Sequence, residues 1–228
     1  SIISSVGEDS NGREIIRYLN EEGVNTNGIS ITHEFSTGQV NVLLDNKGGA
    51  SYDIPYPAAW DKIVLNGTQE IVKDVDVIIF GSLSCREEIN RLTLKSIMKH
   101  VNYRVFDVNL RGPHYTYEIL MDLMKESNLI KFNDDELFEI AEYLGYKNYS
   151  MEQVITHLVK VTQTDSICVT KGAGDPNLGV FWLTARRSAA VGENLASESR
   201  WRPRDVLHPG GPGHGGPRLC PEPAALLG

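Results

Sequence analysis

The sequence predicts an α/β fold: a mostly parallel sheet with helices on its faces and one small antiparallel patch inserted near the start. Three observations carry this. From about residue 75 to residue 170, short apolar runs alternate with amphipathic helical runs, the spacing that right-handed crossovers between parallel strands produce. Between residues 28 and 57 the pattern changes to short β-like runs with a turn signal between two of them. Two polar clusters, Asp107-Val108-Asn109-Leu110-Arg111 and Asn133-Asp134-Asp135-Glu136, follow directly on apolar runs. The ends of parallel strands are where open α/β sheets collect ligands.

The elements follow in order. Asp9 or Ser10 caps a helix that runs to about Glu21, with Ile15, Ile16 and Leu19 as its apolar face and Gly23 as its stop. The β-like runs 29–31, 40–44 and 52–54 form the patch, and Asn46-Lys47-Gly48-Gly49 supplies a hairpin turn between the last two. A strand at 75–80 leads to a helix over about 87–100, and a strand at 104–108 to a helix over about 117–126. A strand at 129–132 leads to a helix over 135–144. Ser150 and Gln153 form a capping box for a helix to about residue 161, which leads to a strand at 166–170.

Composition narrows the function. The 228 residues allow one large α/β domain or two small ones, and 41% hydrophobic with 23% charged residues is ordinary globular material. A formal net charge of −8 argues against a nucleic-acid surface, which needs clustered Lys and Arg. No apolar run approaches the ~18 residues of a membrane span, and the first residues carry neither the basic region nor the long apolar core of a signal peptide. Cys85, Cys168 and Cys220 show no metal-site or CxxC spacing, so a reducing cytoplasm is the expectation. The histidines show no ligand spacing either, and the acidic run at 134–136 lacks the alternation and the glycine of a calcium loop.

The composition breaks near residue 172. Lys ends at Lys171 and Ile at Ile167, and six of the ten prolines fall between Pro203 and Pro223. The stretch 209–217 alternates Pro, Gly and His without apolar periodicity and cannot bury a core. Either the tail, residues 181–228, is a natural disordered segment, or a frame shift or joined sequence has replaced the original one. The joint loss of Lys and Ile favours the second. In both cases it is expected to be irregular, leaving the strand at 166–170 with an open edge.

Seven pieces occur in a set order: Ser5-Val6-Gly7-Glu8-Asp9 with Gly12, Glu22-Gly23-Val24-Asn25-Thr26, Ser36-Thr37-Gly38, Ala58-Ala59-Trp60-Asp61, residues 107–111, residues 133–136, and Thr170-Lys171-Gly172-Ala173. Over roughly residues 1–180 the chain therefore resembles the ribokinase-like (PfkB-type) carbohydrate kinases. The stretch from Tyr52-Asp53-Ile54 to Trp60-Asp61 is most similar to bacterial fructokinases. The resemblance implies a Rossmann-like, mostly parallel sheet with helices on both faces, plus a small antiparallel β lid at about residues 29–57. The lid would close over the sugar and keep water from the phosphoryl donor, and it offers a surface for a homodimer. ATP and Mg are the implied cofactors. The implied substrate is a small sugar, fructose first, with ribose-like sugars, nucleosides or a sugar acid as alternatives.

The resemblance also assigns roles, each beside a plainer one. Asn109 and Arg111 would bind substrate or phosphate; they leave a strand end two residues apart, on one side of an extended chain, although an arginine there is ordinarily a surface residue. Asn133 and Glu136 would hold Mg through water, or would simply cap a helix, and the two roles are compatible. Thr170 and Gly172 would lie beside the nucleotide. Asp175 closes a Thr-x-Gly-Ala-Gly-Asp string that imitates the family's catalytic base and anion hole. Val169 stands where that element begins with Asp, however, and the distance from Asn133 suits the earlier Thr-x-Gly element. The family's first strand, an early sugar-binding Asp and a Gly-Gly-x-x-Asn segment are expected before Ser1. The expectation is a partial kinase domain over 1–180, inactive as given, with a non-catalytic sugar- or nucleotide-binding remnant as the alternative.

Overall fold

The protein is described, by a computed structural model, over residues 1–44, 50–65, 68–170, 180–185, 196–201 and 224–226. In chain order the elements are β1 (Ile2–Gly7), α1 (Ser10–Glu21), β2 (Gly28–Thr32), β3 (Asn41–Leu44), β4 (Ala50–Asp53), α2 (Thr68–Val72), β5 (Val77–Gly81) and α3 (Glu88–Met98). There follow β6 (Tyr103–Asp107), α4 (Tyr117–Lys125), β7 (Leu129–Asn133), α5 (Asp134–Tyr143), α6 (Met151–Thr162), β8 (Ser166–Thr170), β9 (Val180–Ala185), β10 (Ala196–Trp201) and β11 (Ala224–Leu226). They form two compact units, Ser1–Asn102 with Pro223–Gly228, and Tyr103–Glu222.

In the first unit β1 pairs in parallel with β2, Ile3 opposite Gly28 and Gly7 opposite Thr32. On its other edge it pairs with β11, which also runs parallel to β5. The sequence pattern leaves β1 unassigned, because Ser4 and Ser5 interrupt its apolar residues; Ile2, Ile3 and Val6 are nonetheless buried, and Ser5 with them. This corrects the extent of the antiparallel patch. The run 29–31 belongs to β2 in the parallel sheet, and the antiparallel pair is β3 with β4 alone, Asn41 opposite Asp53. Three alternating residues read the same on a parallel edge and in a hairpin, so only the partner strand decides. The proposed turn at 46–49 lies outside the described residues.

Helix α1 starts as expected, with the Asp9 carboxylate accepting the Gly12 amide at 2.8 Å, and stops where Gly23 takes φ +74°, a conformation that glycine adopts without a side-chain clash. Its apolar face is less covered than the pattern suggests, since Gly12 is its buried residue and Ile15 is exposed. Helix α3 buries Asn90, Leu94, Ile97 and Met98. Asn90 is fully used there: Nδ2 donates to the Trp60 and Ser84 carbonyls, and Oδ1 accepts the Ile63 amide. A buried amide is tolerated when its hydrogen bonds are all made.

In the second unit β6, β7 and β8 are parallel neighbours, with Asp107 opposite Lys131 and Asn133 opposite Thr170. Phe106, Ile130, Phe132, Ile167 and Val169 are buried, as are Leu120 and Met124 of α4, Leu137 and Ile140 of α5, and Val154, Ile155 and Leu158 of α6. Each helix set recurs at three or four residues, which gives one apolar stripe per helix. The caps are side-chain caps: Thr116 for α4, Asn133 for α5 and Ser150 for α6, the last two as full capping boxes.

The edge of β8 is not open. β9 pairs with it antiparallel, Ile167 opposite Leu183 and Thr170 opposite Val180, and β10 pairs antiparallel with β9. Of the expected irregular tail, the strands β10 and β11 and all but the first residue of β9 are described; its other residues lie outside the described set. The architecture is an α/β fold of mostly parallel strands with helices, plus one small separate antiparallel pair.

Candidate functional site

Three parallel strands of the second unit end with Asp107, Asn133 and Thr170. The register sets Asn133 beside Thr170, and the Thr170 hydroxyl donates to the Phe132 carbonyl at 3.3 Å. Asp107 pairs with Lys131 of the neighbouring strand at 2.8 Å. Sequence reasoning missed Lys131; the signal, a lysine inside an otherwise apolar run, acquires meaning only with the register. Gly172 and Asp175 lie outside the described residues.

After Asp107 the chain turns. Asn109 has φ +40°, the left-handed region that Asn tolerates better than most residues. The alternation argument for Asn109 and Arg111 therefore fails, since the segment is not extended at this point. A carboxylate holds the loop instead. Glu136, buried in the first turn of α5, accepts the Leu110 amide on Oε1 at 2.9 Å and the Asn133 amide on Oε2 at 2.8 Å. The Asn133 side chain returns the favour to the Glu136 amide at 2.8 Å. Arg111 folds back so that Nη1 donates to the Leu110 carbonyl at 2.8 Å.

The first turn of α5 carries Asp134, Asp135 and Glu136. Negative side chains suit a helix N-terminus, and a cation there would be favoured over a bare phosphate. Each Glu136 oxygen already accepts one backbone amide, which leaves lone pairs for water but disfavours direct ligation. Among the described residues no group of three or more His, Cys, Asp or Glu side chains could enclose a metal. This donor set fits a hydrated Mg ion, which keeps several of its waters and takes further ligands from phosphates.

The motif glycines of the first unit surround a second polar centre. The Asp9 carboxylate accepts the Thr37 amide at 2.8 Å, the Thr37 hydroxyl at 2.7 Å and the Gly12 amide at 2.8 Å. Thr37 Oγ1 accepts the Gly7 amide at 2.9 Å. A Cβ on Gly12 would fall 2.2 Å from the Gly7 carbonyl oxygen, and one on Gly7 would fall 2.6 Å from the Thr37 nitrogen, so both positions require glycine. The Thr37 amide, then the Gly12 amide and the Thr37 hydroxyl hold the Asp9 pKa down at about 2. A depressed carboxylate stabilises the fold above its unfolded pKa of about 3.9, and that contribution is lost as pH falls toward the folded value. Urea midpoints measured from pH 7 to pH 2 should show Asp9→Asn less stable than the parent at neutral pH, with the gap closing between about pH 4 and 2. A gap that stays constant to pH 2 would remove Asp9 from this role.

The hairpin approaches are anchored by a buried ion pair. Arg86 meets Asp61 through Nε and Nη2 at 2.5 and 2.6 Å, and its guanidinium lies 4.2 Å over the Trp60 ring and 5.0 Å over Tyr56. The Trp60 indole in turn abuts Gly38, where a Cβ would fall 2.0 Å from Nε1. The glycine of Ser36-Thr37-Gly38 is thus required by contact with the tryptophan of Ala58-Ala59-Trp60-Asp61.

The sequence signature of the pfkB family carbohydrate kinases matches residues 1–181. The chain belongs to that family. An uncharacterised sugar kinase of Pyrococcus horikoshii is 29% identical over 148 residues, 60% of this chain and 47% of that protein. Its crystal structure has TM-score 0.66 at 21% identity, over 89% of this chain and 62% of that one. A fructokinase of Xylella fastidiosa has TM-score 0.66 at 22% identity, over 80% of this chain and 57% of that one. Both proteins have also been solved with ATP bound. The chain thus spans about half the length of the curated relative it matches, and these structural likenesses establish the fold.

Within this pfkB-family chain, the first unit also contains a cavity of about 260 Å³ lined by Ile2, Val6, Ile15, Leu19 and Trp60 among others. Its walls are mostly apolar, with Ser4, Ser5 and Thr37 among them, and no charged side chain lines it. The polar residues assigned by resemblance lie in the other unit, on the ends of β6, β7 and β8.

Proposed function

We propose that these residues belong to an ATP-dependent kinase that transfers the γ-phosphoryl group to a hydroxyl of a small sugar, with fructose as the first candidate. The observation that carries the proposal is the meeting of Asn133, Glu136 and Thr170 at adjacent strand ends with the loop of Asn109 and Arg111 held to Glu136. It occurs in a chain whose residues 1–181 match the family. Arg111 supplies a fixed cation for phosphate oxygens, and Asn109 an amide for a sugar or phosphate oxygen. Thr170 is the described residue given the place beside the nucleotide, a role shared in the family resemblance by residue 172. Asn133 and Glu136 hold the hydration shell of Mg, and the ion, when bound with ATP, neutralises charge on the transferring group. An E. coli protein provisionally described as a ribokinase II, of TM-score 0.65, has been solved with ATP and Mg.

The β3–β4 pair is the lid of this reading. Val42, Leu43 and Tyr52 on it are 50–63% exposed, a surface suited both to closing over a sugar and to pairing with a second copy. Cys85 and Cys168 are free and buried, which suits a reducing cytoplasm, and no described helix is long and apolar enough to cross a membrane.

A chain of these 228 residues alone is expected to turn nothing over, because the spacing from Asn133 and Val169 in place of Asp make the Asp175 string the family's earlier Thr-x-Gly element, not its base and anion hole. Losing one such donor alone lowers rates about 10²–10³-fold. The test compares this chain with a chimera in which the Xylella fructokinase segments flank residues 1–170. The chimera should phosphorylate fructose at roughly 1–100 per second, and the chain alone should not. Turnover by the chain alone at such rates would identify Asp175 as the base. A folded chimera that binds Mg·ATP yet phosphorylates no sugar would overturn the kinase reading.

A further inference from the structure

We propose that Glu139, Tyr115 and Tyr117 are positioning residues that fix the loop of Asn109 and Arg111, acting with Glu136 as a two-point clasp from one face of α5. What the loop binds rests on the kinase reading above; the clasp rests on geometry. Glu136 accepts the Leu110 amide at 2.9 Å. One helical turn later Glu139 Oε1 accepts the Tyr115 hydroxyl in a short hydrogen bond and the Tyr117 hydroxyl at 3.2 Å. A further turn on, Tyr143 stacks on Tyr117 with ring centres 3.8 Å apart and planes 12° apart, while Tyr115 meets Tyr117 edge-on at 5.9 Å. Residues 136, 139 and 143 are spaced three and four apart, so they form one stripe, and all three touch the segment 110–117.

That stripe is not explained by the core. Helix α5 buries Glu136 with Leu137, Ile140 and Ala141, whereas Glu139 and Tyr143 of the stripe are exposed. Between its two attachment points the loop closes on itself, Arg111 Nη1 to the Leu110 carbonyl at 2.8 Å and the His114 amide to the Arg111 carbonyl at 2.9 Å. Burial and then the Glu139 carboxylate push the Tyr115 pKa well above its usual value, so the hydroxyl remains a donor throughout the physiological range. Asn133 caps the same helix. The clasp therefore ties the position of Arg111 to the Asn133 and Glu136 site through one rigid element, and such preorganisation lowers the ordering needed when a ligand binds.

The double variant Tyr115→Phe/Tyr117→Phe keeps both rings and removes both hydroxyls; Glu139→Gln keeps one acceptor and is the conservative control. Amide exchange of the full chain, followed by mass spectrometry, should accelerate about tenfold over residues 108–117 in the double variant and less in Glu139→Gln, with α6 and β8 unchanged. Mg·ATP affinity should fall about three- to tenfold in the double variant, and no further when Arg111→Ala is already present, since coupled sites are not additive. Unchanged exchange over 108–117, or equal acceleration throughout residues 103–170, overturns the clasp. If Arg111→Ala by itself leaves Mg·ATP affinity unaltered, the role given to Arg111 fails, and the exchange pattern still decides the clasp.

Discussion

Replacing Arg86 by Met is expected to lower the stability of the first unit by about 3–5 kcal/mol, the range found when one partner of a buried ion pair is removed. The Arg86 side chain is 5% exposed and that of Asp61 0%, so water cannot take over the abandoned carboxylate. Asp61 would keep only the Ala58 amide at 2.8 Å, and Trp60 and Tyr56 would lose the guanidinium between them. Lys is no substitute, because it offers neither the fork that meets both carboxylate oxygens nor the planar face. The double replacement Arg86→Met/Asp61→Leu should recover much of the loss, as apolar substitution of both partners commonly does. Urea unfolding of the three chains checks this. A single-variant loss below about 1 kcal/mol, typical of a surface pair, would mean that the pair is not closed off from water. The consequence stays within the first unit and reaches Gly38, since Arg86 lies over Trp60 and Trp60 abuts Gly38.

Replacing Arg111 by Ala in the fructokinase chimera, on the proposed kinase reading, is expected to lower kcat/KM by about 10²–10³-fold, as loss of one preorganised charge-stabilising donor does. The guanidinium is already oriented by the Leu110 carbonyl, and Leu110 is held by Glu136, so little ordering remains for the reaction to supply. Arg111→Lys should recover about tenfold of the loss, because charge returns without the paired donors. The split between parameters is informative. A fall in kcat with KM unchanged places the contact on the transferring group, whereas a rise in KM alone places it on ground-state sugar or nucleotide. Activity within twofold of the parent would return Arg111 to the surface.

Local order was readable in the chain wherever the cause is local. Asp9, Asn133 and Ser150 cap their helices, Gly23 stops one, and the alternation from residue 75 to 170 yields the parallel strands in sequence, because caps and periodicity depend on residues within one or two turns. The Asn-x-x-Glu pattern at 133–136 was readable twice over, as a cap and as a ligand pair. Its third role, the bond from Glu136 to Leu110, joins residues 26 apart in the chain and leaves no local trace.

The failures share that cause. β1 escaped because serines break its pattern, and the run of β2 was placed in the antiparallel patch because its parallel partner was unassigned. Asn109 was expected in an extended chain and instead turns at φ +40°, a choice made by the attachment of Leu110 to α5. The sequence was enough for the strand–helix alternation from β5 to β8, the helix ends and the family, since these follow from neighbours and from ordered motifs. Tertiary structure alone decided which strands are partners, that β9 covers the edge of β8, and which carboxylates hold the Arg111 loop. Those outcomes are set by contacts between residues far apart in the chain, and such contacts exist only once the sheet has brought its strand ends together.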